Sequence, residues 1–68
     1  MFLVEKKVSQ NGRRRAEIYM RPDGLFEGRI YRDDSGAKAQ RPEAEFEVCG
    51  VTETLPRVET IVNEELGL

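Results

Sequence analysis

The chain contains no histidine and no tryptophan, and it has a single cysteine. Each absence removes a class of function. With one thiol and no imidazole, no familiar zinc site can be assembled. An intramolecular disulfide is excluded for the same reason. Cys49, with no histidine to activate it, is expected to be a semi-exposed structural residue rather than a nucleophile. Long apolar runs are missing too: no stretch approaches the ~20 residues that cross a bilayer. "MFLVEKK" at residues 1–7 is too short for the core of a signal peptide. There is no Gly-rich phosphate loop, no nucleophile elbow and no metal-ligand cluster. Glu43, Glu45 and Glu47 project as a row from one strand, without the convergent, part-buried geometry that shifts a carboxyl pKa. These absences predict a non-enzymatic chain with no cofactor and no metal, soluble and cytoplasmic, with no membrane partner.

What remains is sixty-eight residues, enough for one domain spanning 1–68. A chain of this size buries only about 60% of its unfolded surface, so its stability is marginal. With no disulfide or metal to staple it, self-association becomes an expectation. The net charge of −2 conceals an asymmetry: residues 1–41 hold ten Lys/Arg against six Asp/Glu, residues 42–68 one Arg against seven Glu. Within one small body this is a charge dipole. Its ordinary effect is attraction between parts of the fold; a basic face could also steer an anionic partner.

Three turn signals, "QNG" at 10–12, "RPDG" at 21–24 and "DDSG" at 33–36, separate strand-like segments at 2–8, 13–20 and 25–32. In "RPDG", Pro22 and Asp23 suit the centre of a type I turn and Gly24 the left-handed position after it. The resulting three-residue hairpin loop opposes Met20 to Phe26, Ile18 to Gly28, Ala16 to Ile30, Arg15 to Tyr31 and Arg13 to Asp33. Directly opposed residues share a face. One face then collects Ala16, Ile18, Met20, Phe26, Gly28 and Ile30, a core. The other collects Arg13, Arg15, Glu17, Tyr19, Glu27, Arg29, Tyr31 and Asp33.

The first hairpin has two candidate registers. A two-residue Asn11-Gly12 turn opposes Lys6 to Glu17 and puts Phe2, Val4 and Val8 on the polar face. A three-residue loop, Gln10 to Gly12, opposes Val4 to Ile18 and Phe2 to Met20 and completes the core. Burial of two large side chains outweighs the like-charge pairs this creates, which are worth under ~1 kcal/mol each. The three-residue loop is therefore expected. A fourth strand at 43–49, after the ladder-breaking Pro42, is read with Ala44, Phe46 and Val48 inward and the glutamates outward, at an edge. Cys49 then points opposite Val48, to the tyrosine side or the strand end. The last segment is helical. Thr52 or Thr54 caps it, Pro56 sits in its first turn, Gly67 ends it, and Leu55, Val58, Ile61, Val62 and Leu66 form its apolar stripe.

The expected fold is α+β: a four-stranded antiparallel sheet in ββββα order with one C-terminal helix packed on one face. The other face carries the candidate binding residues Arg13, Arg15, Tyr19, Arg21, Arg29 and Tyr31, with Lys7, Leu3 and Leu25 around them. Arg14 points to the core side. Tyrosine, arginine and leucine together suit the centre of an interface, so the leading reading is a homodimer through this face. Aromatics interleaved with arginines also suit stacking and phosphate contact, which makes single-stranded nucleic acid the first alternative. The second is an unidentified basic protein partner for the acidic set Glu43, Glu45, Glu47, Glu59, Glu64 and Glu65. Against all three, cross-strand acids could simply neutralise the arginines, with Arg15 stacked on Tyr31.

Overall fold

Residues 1–32 and 46–68 are described by the computed structural model, which is an α+β fold. Four strands, β1 (Phe2–Val8), β2 (Arg14–Met20), β3 (Phe26–Arg32) and β4 (Phe46–Thr52), precede one helix, α1 (Leu55–Leu66). The sheet order is β1-β2-β3-β4, antiparallel throughout. The "DDSG" turn, Pro42, Glu43, Ala44, Glu45 and the Arg13–Asp33 pairing fall outside the described residues.

The second hairpin follows its turn chemistry. Gly24 takes a positive φ of 87°, and its N–H donates to the Arg21 carbonyl at 3.0 Å. The Arg21 N–H donates to the Leu25 carbonyl at 2.8 Å, and the Asp23 carboxylate accepts from the Leu25 N–H at 3.1 Å. Every opposed pair from Arg15–Tyr31 to Met20–Phe26 is as the turn dictates.

The first hairpin corrects the expected register. Phe2 does oppose Met20, but a bulge at Val4 shifts the remainder of the strand, so Glu5 opposes Ile18, Lys6 opposes Glu17 and Lys7 opposes Ala16. The strand thus carries both candidate registers, joined by one unpaired residue. The loop chemistry is the physical reason. Ser9 N–H donates to the Arg14 carbonyl at 2.9 Å, Ser9 Oγ donates to Asn11 Oδ1 at 2.7 Å, and Asn11 Oδ1 also accepts from the Arg13 N–H. Four residues, Gln10 to Arg13, lie inside the closing Ser9–Arg14 pair. As a result Val4 is not a core residue, Lys7 leaves the tyrosine face and Lys6 takes its place. Phe2 stays 69% exposed, because the helix lies chiefly over β2, β3 and β4.

The fourth strand is also turned over relative to expectation. Phe46 opposes Tyr31 and Val48 opposes Arg29, so both sit on the tyrosine face, whereas Glu47 opposes Ile30. Cys49 is the extra residue in a bulge between the Arg29–Val48 and Gly28–Gly50 pairs. It points opposite Val48, therefore toward the helix and not the tyrosines, and packs against the core. The cause is Gly50. Paired with Gly28 on the helix side, it makes a floor of two glycines on which α1 rests. A Cβ at Gly28 would lie 2.9 Å from Val62 Cγ2 and 3.1 Å from Val58 Cγ2; one at Gly50 would lie 2.9 Å from Ile61 Cδ1.

The helix begins after Thr54, with Pro56 in its first turn, and Thr52 Oγ1 donates to the Thr54 carbonyl at 2.7 Å. Gly67 closes it in the left-handed conformation, φ 74°, and the Leu68 N–H returns to the Asn63 carbonyl. Val58, Val62 and Leu66 bury against Ala16, Ile18 and Ile30, with Phe26, Cys49 and Leu55 at the margin. Fully buried Ile18, Val58 and Val62 each contribute roughly 1.5–3 kcal/mol. Arg14 lies on this side, as its alternation requires, and donates from Nη1 to the Glu65 carbonyl at 2.7 Å, a cation at the negative end of the helix. No helix among the described residues is long and apolar enough to cross a membrane.

Candidate functional site: the open sheet face

The face away from α1 is built from three cross-strand rows. Val8, Arg15, Tyr31 and Phe46 form the first; Lys6, Glu17, Arg29 and Val48 the second; Leu3, Tyr19, Glu27 and Val51 the third. Four of the six predicted residues, Arg15, Tyr19, Arg29 and Tyr31, therefore stand together on the two central strands. Arg21 joins them from the turn by pairing with Glu27 at 3.6 Å and with Asp23 at 3.1 Å. Arg13 does not join them. β2 begins at Arg14, and Arg13 is spent in the loop, exposed, with its N–H on Asn11.

The centre is more closed than a bare face would be. Tyr31 is only 8% exposed. The Arg15 guanidinium lies 4.7 Å from its ring centroid and Phe46 packs beside it at 5.5 Å. Arg29 lies over two rings at once, 4.4 Å from Tyr19 and 4.5 Å from Phe46. Its Nε donates to Glu27 at 2.6 Å and its Nη2 to the Met1 sulfur at 3.2 Å. Glu17 and Arg29 are directly opposed, as the hairpin register requires, yet they make no ion pair with each other within the chain. Arg29 lies along its own strand toward Glu27, because the stack on two rings and a charge-assisted hydrogen bond are available together there. Glu27 is accordingly buried, at 7% exposure, between two arginines.

Glu17 instead accepts from the Tyr19 hydroxyl at 2.7 Å. That hydrogen bond to a carboxylate, with some desolvation and the charge itself, pushes the Tyr19 phenol up to about 12. The hydrogen bond that Arg29 donates to Glu27 raises its pKa and keeps it firmly cationic. On the other side of the sheet, burial and the nearby Glu65 carboxylate push the Cys49 thiol up, away from thiolate chemistry. Of the acidic set, Glu47, Glu59, Glu64 and Glu65 lie on β4 and α1, and Glu43 and Glu45 fall outside the described residues. Among the described residues no group of three His, Cys, Asp or Glu side chains could hold a metal ion.

Around this closed centre lies an apolar rim, of which sequence reasoning placed Leu3 and missed Val8, Phe46, Val48 and Val51. Leu3 and Val8 stand on the β1 side; Phe46, Val48 and Val51 stand on the β4 side, all between 40% and 57% exposed. Its signal was the Gly28/Gly50 pair: a glycine that must lie under the helix fixes which face of β4 the valines take. No known protein family, curated protein or solved structure matches this chain.

Proposed function

We propose that the chain is a non-enzymatic interaction module that forms a homodimer through the open sheet face. One observation carries this reading: large apolar side chains on both edge strands, Leu3 and Val8 on one and Phe46, Val48 and Val51 on the other, are exposed on the same face. The centre between them holds Glu27 paired with Arg21 and Arg29, and Arg15 stacked on Tyr31. That pattern suits burial against a like surface. Four seven-residue strands, at about 4.8 Å spacing and about 3.3 Å per residue, present roughly 450 Å² in projection. Side-chain relief raises the accessible area toward the ~800 Å² per partner of a standard interface, which puts the dimer at the weaker end of that class.

Single-stranded nucleic acid is the weaker reading. Stacking needs free ring faces, and here guanidinium groups lie over Tyr19, Tyr31 and Phe46. Light scattering across a range of concentrations, near physiological salt, tests the proposal. A mass of two chains that falls to one chain in Val48→Asp is expected. Val48 serves better than Tyr31 here, because a charge at buried Tyr31 would unfold the sheet. A mass of one chain at every concentration overturns it. The dimer should withstand added salt, whereas oligonucleotide binding would fall steeply with it.

A further inference from the structure

We infer that the two sheets stack about a two-fold axis running parallel to the strands between β2 and β3, so that β1 of one protomer covers β4 of its partner. This rests on the self-association proposed above and adds to it the arrangement and the residues that select it.

The three rows and the symmetry of a dimer are enough to decide it. Two sheets meeting face to face under two-fold symmetry need an axis lying in the plane between them. If the axis runs along the strands through the sheet centre, each row meets itself reversed. In the first row Val8 meets the partner's Phe46 and Arg15 meets the partner's Tyr31. In the second, Glu17 meets the partner's Arg29, and the Lys6 stem covers the partner's Val48. In the third, Leu3 meets the partner's Val51 and Tyr19 the partner's Glu27. Apolar rim meets apolar rim on both edges, and the central charges meet opposite charges or rings.

An axis at right angles to the strands still lays rim on rim, Val8 on Leu3 and Phe46 on Val51, but fails at the centre. It places the second row directly on its own copy, Lys6 on Lys6, Glu17 on Glu17 and Arg29 on Arg29. Such like-charge juxtaposition is strongly unfavourable at an interface. An axis along the strands but centred over β2 leaves β4 uncovered and again sets Glu17 against Glu17. Of these arrangements only the centred, strand-parallel one is complementary. It also gives Glu17 a cation: among the described residues Glu17 has no ion pair in its own chain, and its side-chain hydrogen bond comes from Tyr19. Aligned packing with sheets about 10 Å apart and strands some 30° off parallel preserves these row contacts near the axis, where Glu17 and Arg29 lie.

The test is a charge-reversal pair, Glu17→Arg and Arg29→Glu, each checked for folding by circular dichroism and weighed by light scattering. Each variant alone sets like charges against each other twice in the dimer, so its self-association should weaken at least about tenfold. Mixed in equal amounts, the two variants oppose unlike charges at both contacts and should recover a dimer. Dimers of wild-type strength from each variant alone would overturn the arrangement and leave self-association standing. So would single variants that are monomeric and stay monomeric on mixing. A wild-type protein that is monomeric throughout removes the proposed function itself.

If either charge variant fails to fold, crosslinking decides. Val8→Cys and Phe46→Cys, both in a Cys49→Ser background, are mixed and treated with a short bis-maleimide. An 8–46 crosslinked pair is expected, in excess over 8–8 and 46–46. An excess of either like pair overturns the arrangement.

Discussion

Replacing Gly28 with alanine should destabilise the protein by about 1–2 kcal/mol, and the origin lies in the floor beneath the helix. An added Cβ would meet Val62 Cγ2 at 2.9 Å, Cys49 Sγ at 3.0 Å and Val58 Cγ2 at 3.1 Å. Ordinary carbon contacts sit near ~3.5–4.0 Å. Val58 and Val62 are fully buried, and a β-branched side chain cannot rotate away from both contacts, so the helix itself must lift. Overpacking costs about 1–3 kcal/mol, and three contacts at once against fixed neighbours place this site at about 2–3 kcal/mol, offset by the ~0.5–1 kcal/mol by which alanine restricts the unfolded chain relative to glycine. For a domain of this size the net change lowers Tm by roughly 5–15 °C, read at fixed protein concentration so that dimer formation is held constant. Gly50→Ala is the control. Its Cβ would meet Ile61 Cδ1 at 2.9 Å, a terminal methyl that rotation about χ2 moves aside, and the Ile61 branch methyl Cγ2 only at 3.3 Å, on a part-exposed side chain. Its loss should be well below that of Gly28→Ala. A Gly28→Ala protein as stable as wild type, or more damage at Gly50 than at Gly28, would refute the reasoning.

Three further outcomes are expected. Arg14→Ala removes the Nη1 hydrogen bond to the Glu65 carbonyl and should lower stability by about 0.3–1 kcal/mol, read as a lower urea midpoint with an unchanged m-value. Glu59 is held above the ordinary carboxylate range, mainly by hydrogen bonding with the Glu5 carboxyl across the gap to β1. A raised carboxyl stabilises the fold only while protonated, so its contribution is lost as pH rises through its folded pKa; Glu59→Gln should raise Tm at neutral pH and not in acid. Alkaline ultraviolet titration should find Tyr19 ionising near 12, with its stabilising bond to Glu17 intact below the ordinary tyrosine range and lost as pH rises through that value. Glu17→Gln should bring that titration back toward ~10.

Much of this molecule is local enough to be read from residue order. Pro22, Asp23 and Gly24 determine a loop length, the loop length determines a register, and the register sorts Ala16, Ile18 and Ile30 from Arg15, Tyr19 and Tyr31. The helix bounds follow from Pro56 in the first turn and the left-handed Gly67 at the end, because both act within one turn of backbone; Thr54 holds the N-cap position, but the expected side-chain cap is not made. Likewise the placing of Arg14 on the core side needs nothing beyond strand alternation. The order of elements and the membership of the central site, Arg15, Tyr19, Arg29 and Tyr31, follow from these.

Tertiary structure decided whatever depended on a choice between two faces of equal local merit. The alternation of Phe46, Glu47 and Val48 is symmetric: it specifies that neighbours part, not which of them meets the helix. The choice fell to Gly28 and Gly50, which allow α1 to approach closely only if both lie beneath it, and the bulge at Cys49 absorbs the extra residue. In the same way the Phe2–Met20 and Leu3–Tyr19 pairs keep one register for β1 and the Ser9–Asn11 loop sets another, and one strand holds both only by extruding Val4. Arg29 had two acids within reach and took Glu27, because two aromatic rings lie along that path. Local chemistry thus determined the strands and turns; long-range packing under one short helix determined which side chains were left over for a partner.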